Sequence, residues 1–217
     1  MPKSHFSQSE LYLWHHDKDA YIHKYVEGIE EEMPRRAVFG GLIHKSIEKD
    51  TFPVFEELKK QGFTKGEALV TRKVLDKVYR APEREVPLFS ELKGVKFIAV
   101  LDGLDRPARE MHEYKTTDNP NSWTQHRVDY LDQISFYVWV WRTTFHSFLR
   151  AKLHRINTKS GAIKVYETSR GIRDINFIQD KVFETISDMK TCGVWEKRLS
   201  RKEREEKLKV ERGESLV

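Results

Sequence analysis

Three residues stand out for the chemistry that their types and spacing allow. Asp102 closes the apolar run Phe97–Asp102, and eleven residues later Glu113 and Lys115 follow as Glu-Tyr-Lys. Two residues apart on a strand, Glu113 and Lys115 leave from one face. The polar turn 105–110 folds the two runs into a hairpin and brings Asp102 back toward Glu113. Carboxylates at the ends of apolar strands are costly to bury unless they are paired or bind metal. Hard divalent cations prefer oxygen ligands. Mg²⁺ or Mn²⁺ held by Asp102, Glu113 and the main-chain carbonyl of Tyr114 would polarise a phosphate and help deprotonate water. Lys115 would stabilise the charge developing on the phosphate or position the attacking water. The chemistry these residues suit is phosphodiester hydrolysis. A Glu-x-Lys standing alone in a chain with 34% charged residues would be an ordinary surface ion pair. A rival to Asp102 is Asp105, in Asp-Gly-Leu-Asp, but an acid is normal in a turn, and Asp102 is nearer the strand.

Those side chains need a frame. Residues 5–27 read as helix, broken near Asp17, with Ser7 or Ser9 as its cap. A second helix covers 36–49, with Gly40, Gly41 and His44 at helical spacings and Glu48 one turn on. A short helix falls around Phe55 and Leu58, and a Thr64-capped helix covers 67–78. Val86–Glu91 reads as a strand that turns through Lys93-Gly94 into strand Val95–Leu101, followed by strand Met111–Thr116. A polar loop, 117–125, leads to a helix over 126–141, then strands within 144–156 and 161–169, and a helix over 173–197. This is an α/β pattern: a central mixed β-sheet flanked by helices, one domain over 1–196 with a charged tail, 197–217.

Composition narrows the class. The chain has 217 residues, 39 Lys and Arg against 34 Asp and Glu, and a formal net charge of +5. Residues 197–212 carry eight basic and four acidic residues, most of that excess, so the rest is nearly neutral and global charge argues only weakly for a polyanion partner. The single cysteine, Cys192, excludes an internal disulfide and a thiolate-rich metal site. No run is apolar enough to span a bilayer, and the first residues lack the apolar core of a secretory signal. The expectation is a cytoplasmic protein with no membrane association.

The motifs, taken in order, resemble the PD-(D/E)XK nuclease superfamily, specifically its RecB-like, phage-type exonuclease branch. Ser7 and Ser9 match the opening of that branch's N-terminal helix, and Gly40 with His44 matches its Gly-x-x-x-His motif. Val-Leu-Asp102 matches the acidic second motif, Glu113-Tyr-Lys115 the Glu-x-Lys motif, and Gln133 with Tyr137 the Gln-x-x-x-Tyr motif on the following helix. The resemblance implies a restriction-endonuclease-like core and a metal-dependent DNA nuclease. By it, His44 is a metal ligand or stands beside the metal, Asp102 and Glu113 are the primary ligands, and Lys115 is the catalytic lysine. Gln133 and Tyr137 orient the site and touch DNA, while Ser7, Ser9 and Tyr12 support the phosphate or the active site. Glu48 would act through water. Two departures are visible: Ala99 stands where the second motif usually has glycine, and the four cysteines of the iron–sulfur relatives are missing.

DNA, as linear duplex or single strand, is the expected partner, with a recombination or single-strand-binding protein as a candidate recruiter. Trp123, in the polar loop after Lys115, is a candidate base-stacking residue, although it could equally anchor its loop by packing. Arg150 and Lys152 are candidate backbone contacts, with an ordinary solvated surface as the plain alternative. The same catalytic trio serves a structure-specific or site-specific endonuclease equally well, and an inert nucleic-acid-binding protein would also keep the fold.

Overall fold

The structure, a computed structural model, describes residues 5–29, 32–52, 55–119 and 121–211. It is built on a six-stranded mixed sheet. Strand β1 (His5–Ser7) leads directly into α1 (Gln8–His16), followed by α2 (Lys18–Ile22) and one π-helical segment, His23–Glu27. Helices α3 (Arg35–Lys49), α4 (Phe55–Lys60) and α5 (Lys65–Leu75) precede β2 (Glu83–Leu92), β3 (Val95–Asp105) and β4 (Glu110–Thr117). Then come α6 (Gln125–Asp129), α7 (Asp132–Phe145), β5 (Arg150–Asn157), β6 (Ile163–Thr168), α8 (Ile172–Thr191) and α9 (Arg201–Glu211).

The α/β architecture read from the sequence is the one observed. Strands β2 and β3 form a long antiparallel hairpin whose tight turn carries positive φ at both Lys93 (51°) and Gly94 (73°), the twist-compatible geometry of two-residue hairpin turns. Strands β4 and β5 run parallel, so the chain must cross over between them, and α6 and α7 form that crossover. Helix α7 packs its aromatic face, Phe136 and Trp139, onto Phe97 of β3, with α8 behind it. The opposite sheet face carries α3 and α5 over Tyr114 and Ile156. Gly40 explains how close α3 comes: a Cβ there would stand 2.5 Å from Thr116 Oγ1 of β4.

Four local expectations are corrected. Residues 5–7 are strand rather than the start of a helix, because their backbone pairs with Lys96–Ile98 of β3, a long-range partner that local periodicity cannot reveal. The helix expected over 126–141 is two helices, breaking at Tyr130-Leu131, and the second runs on to Phe145. The strand expected from 144 therefore starts at Arg150. The last long helix ends at Thr191.

The charged segment beyond 197 begins by packing inward rather than protruding. Arg198, 2% exposed, pairs with the fully buried Glu10 at 3.0 Å. Glu10 also receives the N–H and hydroxyl of Ser7 and the hydroxyl of Tyr21. The guanidinium of Arg204 lies over the ring of Tyr25. Removing one partner of a buried ion pair leaves the other charge uncompensated. Arg198→Ala is therefore expected to destabilise the fold by about 3–5 kcal/mol, to be read by urea denaturation; an unchanged midpoint would show the pair to be dispensable.

Candidate active site

The geometry starts from a fork in the sheet. One edge of β3 is covered along its length by β2. The other edge changes partner: Lys96–Ile98 pair with β1, and Gly103, Leu104 and Asp105 pair with His112, Met111 and Glu110 of β4 in turn. Residues 99–102 lie between these two ladders. Continuing the β3–β4 register sets Asp102 opposite Glu113, at the point where the ladder has parted. Instead of a ladder bond, Tyr114 donates its backbone N–H to Asp102 Oδ2 at 2.8 Å. A residue in a strand sends its N–H and C=O to the same side, so the carbonyl of Tyr114 faces this opening as well.

Side-chain alternation also slips here. Phe97, Ala99 and Leu101 alternate into the α7-side core, and the next β3 side chain in that core is Leu104, three residues on instead of two. Across the hairpin from Asp102, Glu85 has φ +48°. Irregularities of this kind re-aim side chains, and Asp102 comes within 3.7 Å of His44 Nδ1, which α3 brings from the other face.

Glu113 is 1% exposed. Its Oε1 is fully used: Lys115 Nζ lies at 2.7 Å and Gln133 Nε2 donates at 2.9 Å. The same Gln133 amide donates to the hydroxyl of Tyr137 at 3.0 Å, a helical i,i+4 contact. Glu113 Oε2 is buried with no hydrogen-bond partner. An orphaned buried oxygen is costly unless something absent from the protein itself meets it.

The electrostatics match this picture. Burial pushes the Glu113 carboxyl up to about 7, with Asp102 adding to the rise and Lys115 opposing it. Burial likewise lifts Asp102 to about 6, against the Tyr114 N–H and Lys115. His44 is lowered, first by burial, so its ring is neutral and able to act as a ligand near neutral pH. Burial works against the Lys115 ammonium, but the adjacent Glu113 outweighs it and Lys115 titrates above its ordinary value. Burial, then Glu113, raises Tyr137.

Among the described residues, no three His, Cys, Asp or Glu side chains converge tightly enough to hold a metal ion by themselves. The donors at the fork nevertheless suit a hard divalent cation: two carboxylates, one with an unpartnered buried oxygen, a main-chain carbonyl and a neutral imidazole.

The remaining sequence candidates are not gathered with this set. Ser7 and Ser9 hydrogen-bond to each other, Ser7 to Glu10 and Ser9 to Tyr25. Tyr12 is exposed on α1, stacked on His16. Trp123 is half-buried against the α7-side core, with the Arg127 guanidinium 4.3 Å from its ring centroid. Arg150 and Lys152 pair in register with Glu110 and His112, on the sheet face away from Glu113, and both meet Glu110, Lys152 at 2.9 Å. Asp105 accepts the N–H of Ala108 and caps the turn. Sequence reasoning missed Glu85 altogether. Flanked by Arg84 and Val86, it reads as a solvent-side strand residue and is exposed, and neither its register position across from Asp102 nor its left-handed backbone leaves a trace in residue type.

A mixed sheet that splits with an acid on each side and a lysine beside them is a restriction-endonuclease-like core. The chain belongs to the PD-(D/E)XK nuclease superfamily, whose family model matches residues 5–210. Among solved structures it is similar to the crystal structure of a "Putative exonuclease" from Eubacterium rectale, at 14% identity and a TM-score of 0.59, covering 98% of this chain and 83% of that one. It is also similar to the crystal structure of SSO0001, at 15% identity and a TM-score of 0.44, covering 85% of this chain and 77% of that one. No curated protein matches the chain. Among the described residues, no helix is long and apolar enough to cross a membrane.

The raised carboxyls carry a stability prediction. A carboxyl whose folded-state pKa lies above its unfolded value favours folding below the unfolded pKa, and that contribution is lost as pH rises through the folded value. For Asp102 and Glu113 the loss falls between about pH 4 and 7. In chelator at pH 8, Glu113→Gln is expected to be more stable than the parent by about 2 kcal/mol, with the difference largely gone at pH 5. The difference between proteins is the measure, because burial lowers His112 and His154 and these work in the opposite direction. Thermal melts at both pH values check it; a constant difference would mean that Glu113 is not strained by ionisation.

Proposed function

We propose that the protein is a metal-dependent DNA exonuclease of the RecB-like, phage-type branch, without an iron–sulfur cluster, that hydrolyses phosphodiester bonds in cytoplasmic DNA recombination, repair or phage DNA processing. The observation that carries this reading is Glu113: one oxygen saturated by Lys115 and Gln133, the other buried, unpartnered and beside Asp102. The order of the motifs supports the branch, and the likeness in fold to a structure named a "Putative exonuclease" accords with exonuclease activity.

Asp102, Glu113 Oε2, the Tyr114 carbonyl and His44 would hold Mg²⁺ or Mn²⁺. That ion supplies Lewis-acid polarisation of the scissile phosphate and a lowered pKa for water. Lys115, fixed on Glu113 but with its side chain 28% exposed, directs N–H bonds into the opening. There it positions the attacking water and stabilises negative charge on the phosphate oxygens as the new P–O bond forms and the bond to the leaving sugar oxygen breaks. Gln133 and Tyr137 keep Glu113 and Lys115 in place and border the path of the DNA.

Digestion of end-labelled linear DNA and closed circular DNA tests the reading, with Mg²⁺ or Mn²⁺ and with chelator. The expected result is nucleotide release from linear DNA alone, abolished by chelator. Opening of the circle would replace the exonuclease with an endonuclease, and cleavage in metal-depleted buffer would remove the mechanism.

A further inference from the structure

Glu85 has no part in the reading above, yet the fold holds it in a conformation that costs energy. It stands across the β2–β3 hairpin from Asp102, since Arg84 pairs with Gly103 and Val86 with Leu101. Its φ of +48° lies in the left-handed region that residues with a side chain avoid. Although Glu85 is exposed, its charge raises Asp102 and Tyr137, and it is itself raised by partial burial, then by Glu48 and Glu113. Glu85 therefore adds negative charge where two acids already repel each other. Among the described residues neither Glu85 nor Glu48 forms an ion pair, and the nearby guanidinium of Arg84 is turned to the main-chain carbonyls of Ala81, Ile47 and Glu48. Backbone strain and like-charge repulsion are kept together only where the surroundings or a ligand offset them. The orphaned, 1%-exposed Glu113 Oε2 independently points to a cation at this place.

We infer that Glu85 is a further acid of this site, which takes the divalent cation together with Asp102, either directly or through a cation-bound water. The inference rests on the metal site proposed above. In this arrangement β2 contributes to the cation's surroundings alongside β3, β4 and α3, from the residue that the hairpin register sets across from Asp102. Without the cation, Glu85 is a source of instability; with it, the same charge becomes an attraction.

The test is calorimetric titration of Mn²⁺ into the parent, Glu85→Gln, Asp102→Ala and, as a control on the same strand, Glu91→Gln, with folding checked by circular dichroism. The parent and Glu91→Gln are expected to bind alike, Glu85→Gln about 10-fold more weakly, the scale of lost support around a metal, and Asp102→Ala hardly at all. In melts, Glu85→Gly is expected to raise the midpoint of the metal-free protein by about 2–4 °C, since glycine accepts positive φ and removes the charge, while the rise on adding Mn²⁺ shrinks. Parental Mn²⁺ affinity in Glu85→Gln, with binding lost in Asp102→Ala, would overturn the role of Glu85 and leave the site standing. A parent that binds no Mn²⁺ would overturn both.

Discussion

Lys115→Ala is expected to lower the single-turnover cleavage rate by about 10²-fold or more, the scale of removing one preorganised electrostatic contact, with only a modest loss of DNA affinity. The asymmetry follows from the position of the lysine. Its ammonium is fixed 2.7 Å from a carboxylate that is itself held by Gln133, so it reaches the transition state without reorganising. A fixed cation acts most strongly where charge develops during the reaction. In binding, by contrast, it is one phosphate contact among many. Arginine should not rescue fully, because a planar fork cannot copy a compact ammonium. Single-turnover rate and DNA dissociation constant measured together on the folded variant decide the matter. A rate equal to the parent's would reduce Lys115 to a strand ion pair and would take the catalytic reading with it.

The second large effect separates Asp102 from Asp105. Asp102→Ala is expected to abolish cleavage and most metal binding, whereas Asp105→Ala keeps the chemistry. Asp102 lies at the parting of β3 and β4, 3.7 Å from His44 and bonded to the N–H of Tyr114. Asp105 is three residues further on, paired with Glu110 at the closed end of the hairpin, with its carboxylate capping Ala108 and receiving the Tyr79 hydroxyl at 3.4 Å. Loss of a turn cap costs about 1 kcal/mol or less of stability, without touching the site. Mn²⁺ titration of both variants, alongside their cleavage rates, gives the answer; metal loss confined to the Asp105 variant would reverse the assignment.

What the sequence made legible was short in range. The spacing of Asp102 and Glu113 across a turn led to their facing positions, because hairpin register follows from turn length. The i,i+4 spacing of Gln133 and Tyr137 put both on one helical face, and the structure brings Gln133 to Glu113 and Tyr137 to Gln133. The glycine four residues before His44 is where α3 comes against β4. What stayed illegible depended on distant partners. The ion pairs of Arg150 and Lys152 with Glu110, some forty residues earlier, form across a parallel ladder that the local sequence does not announce. The strand character of residues 5–7 belongs to their pairing with β3 rather than to their types. The slip at Glu85 is a backbone event in a non-glycine residue, which no propensity announces.

The fork has a consequence for the order in which the protein matures. The β2–β3–β4 meander is made of near neighbours in the chain and can form early, whereas the third partner of β3 is the strand at the start of the sequence. That strand is followed at once by Glu10, whose buried partner Arg198 is 188 residues away. Closing so long a loop is slow compared with forming a hairpin. The support behind β1, on one side of the opening at Asp102, is therefore complete only after the segments around Glu10 and Arg198 have met. Until then the acids and the lysine are present without the full frame that sets them.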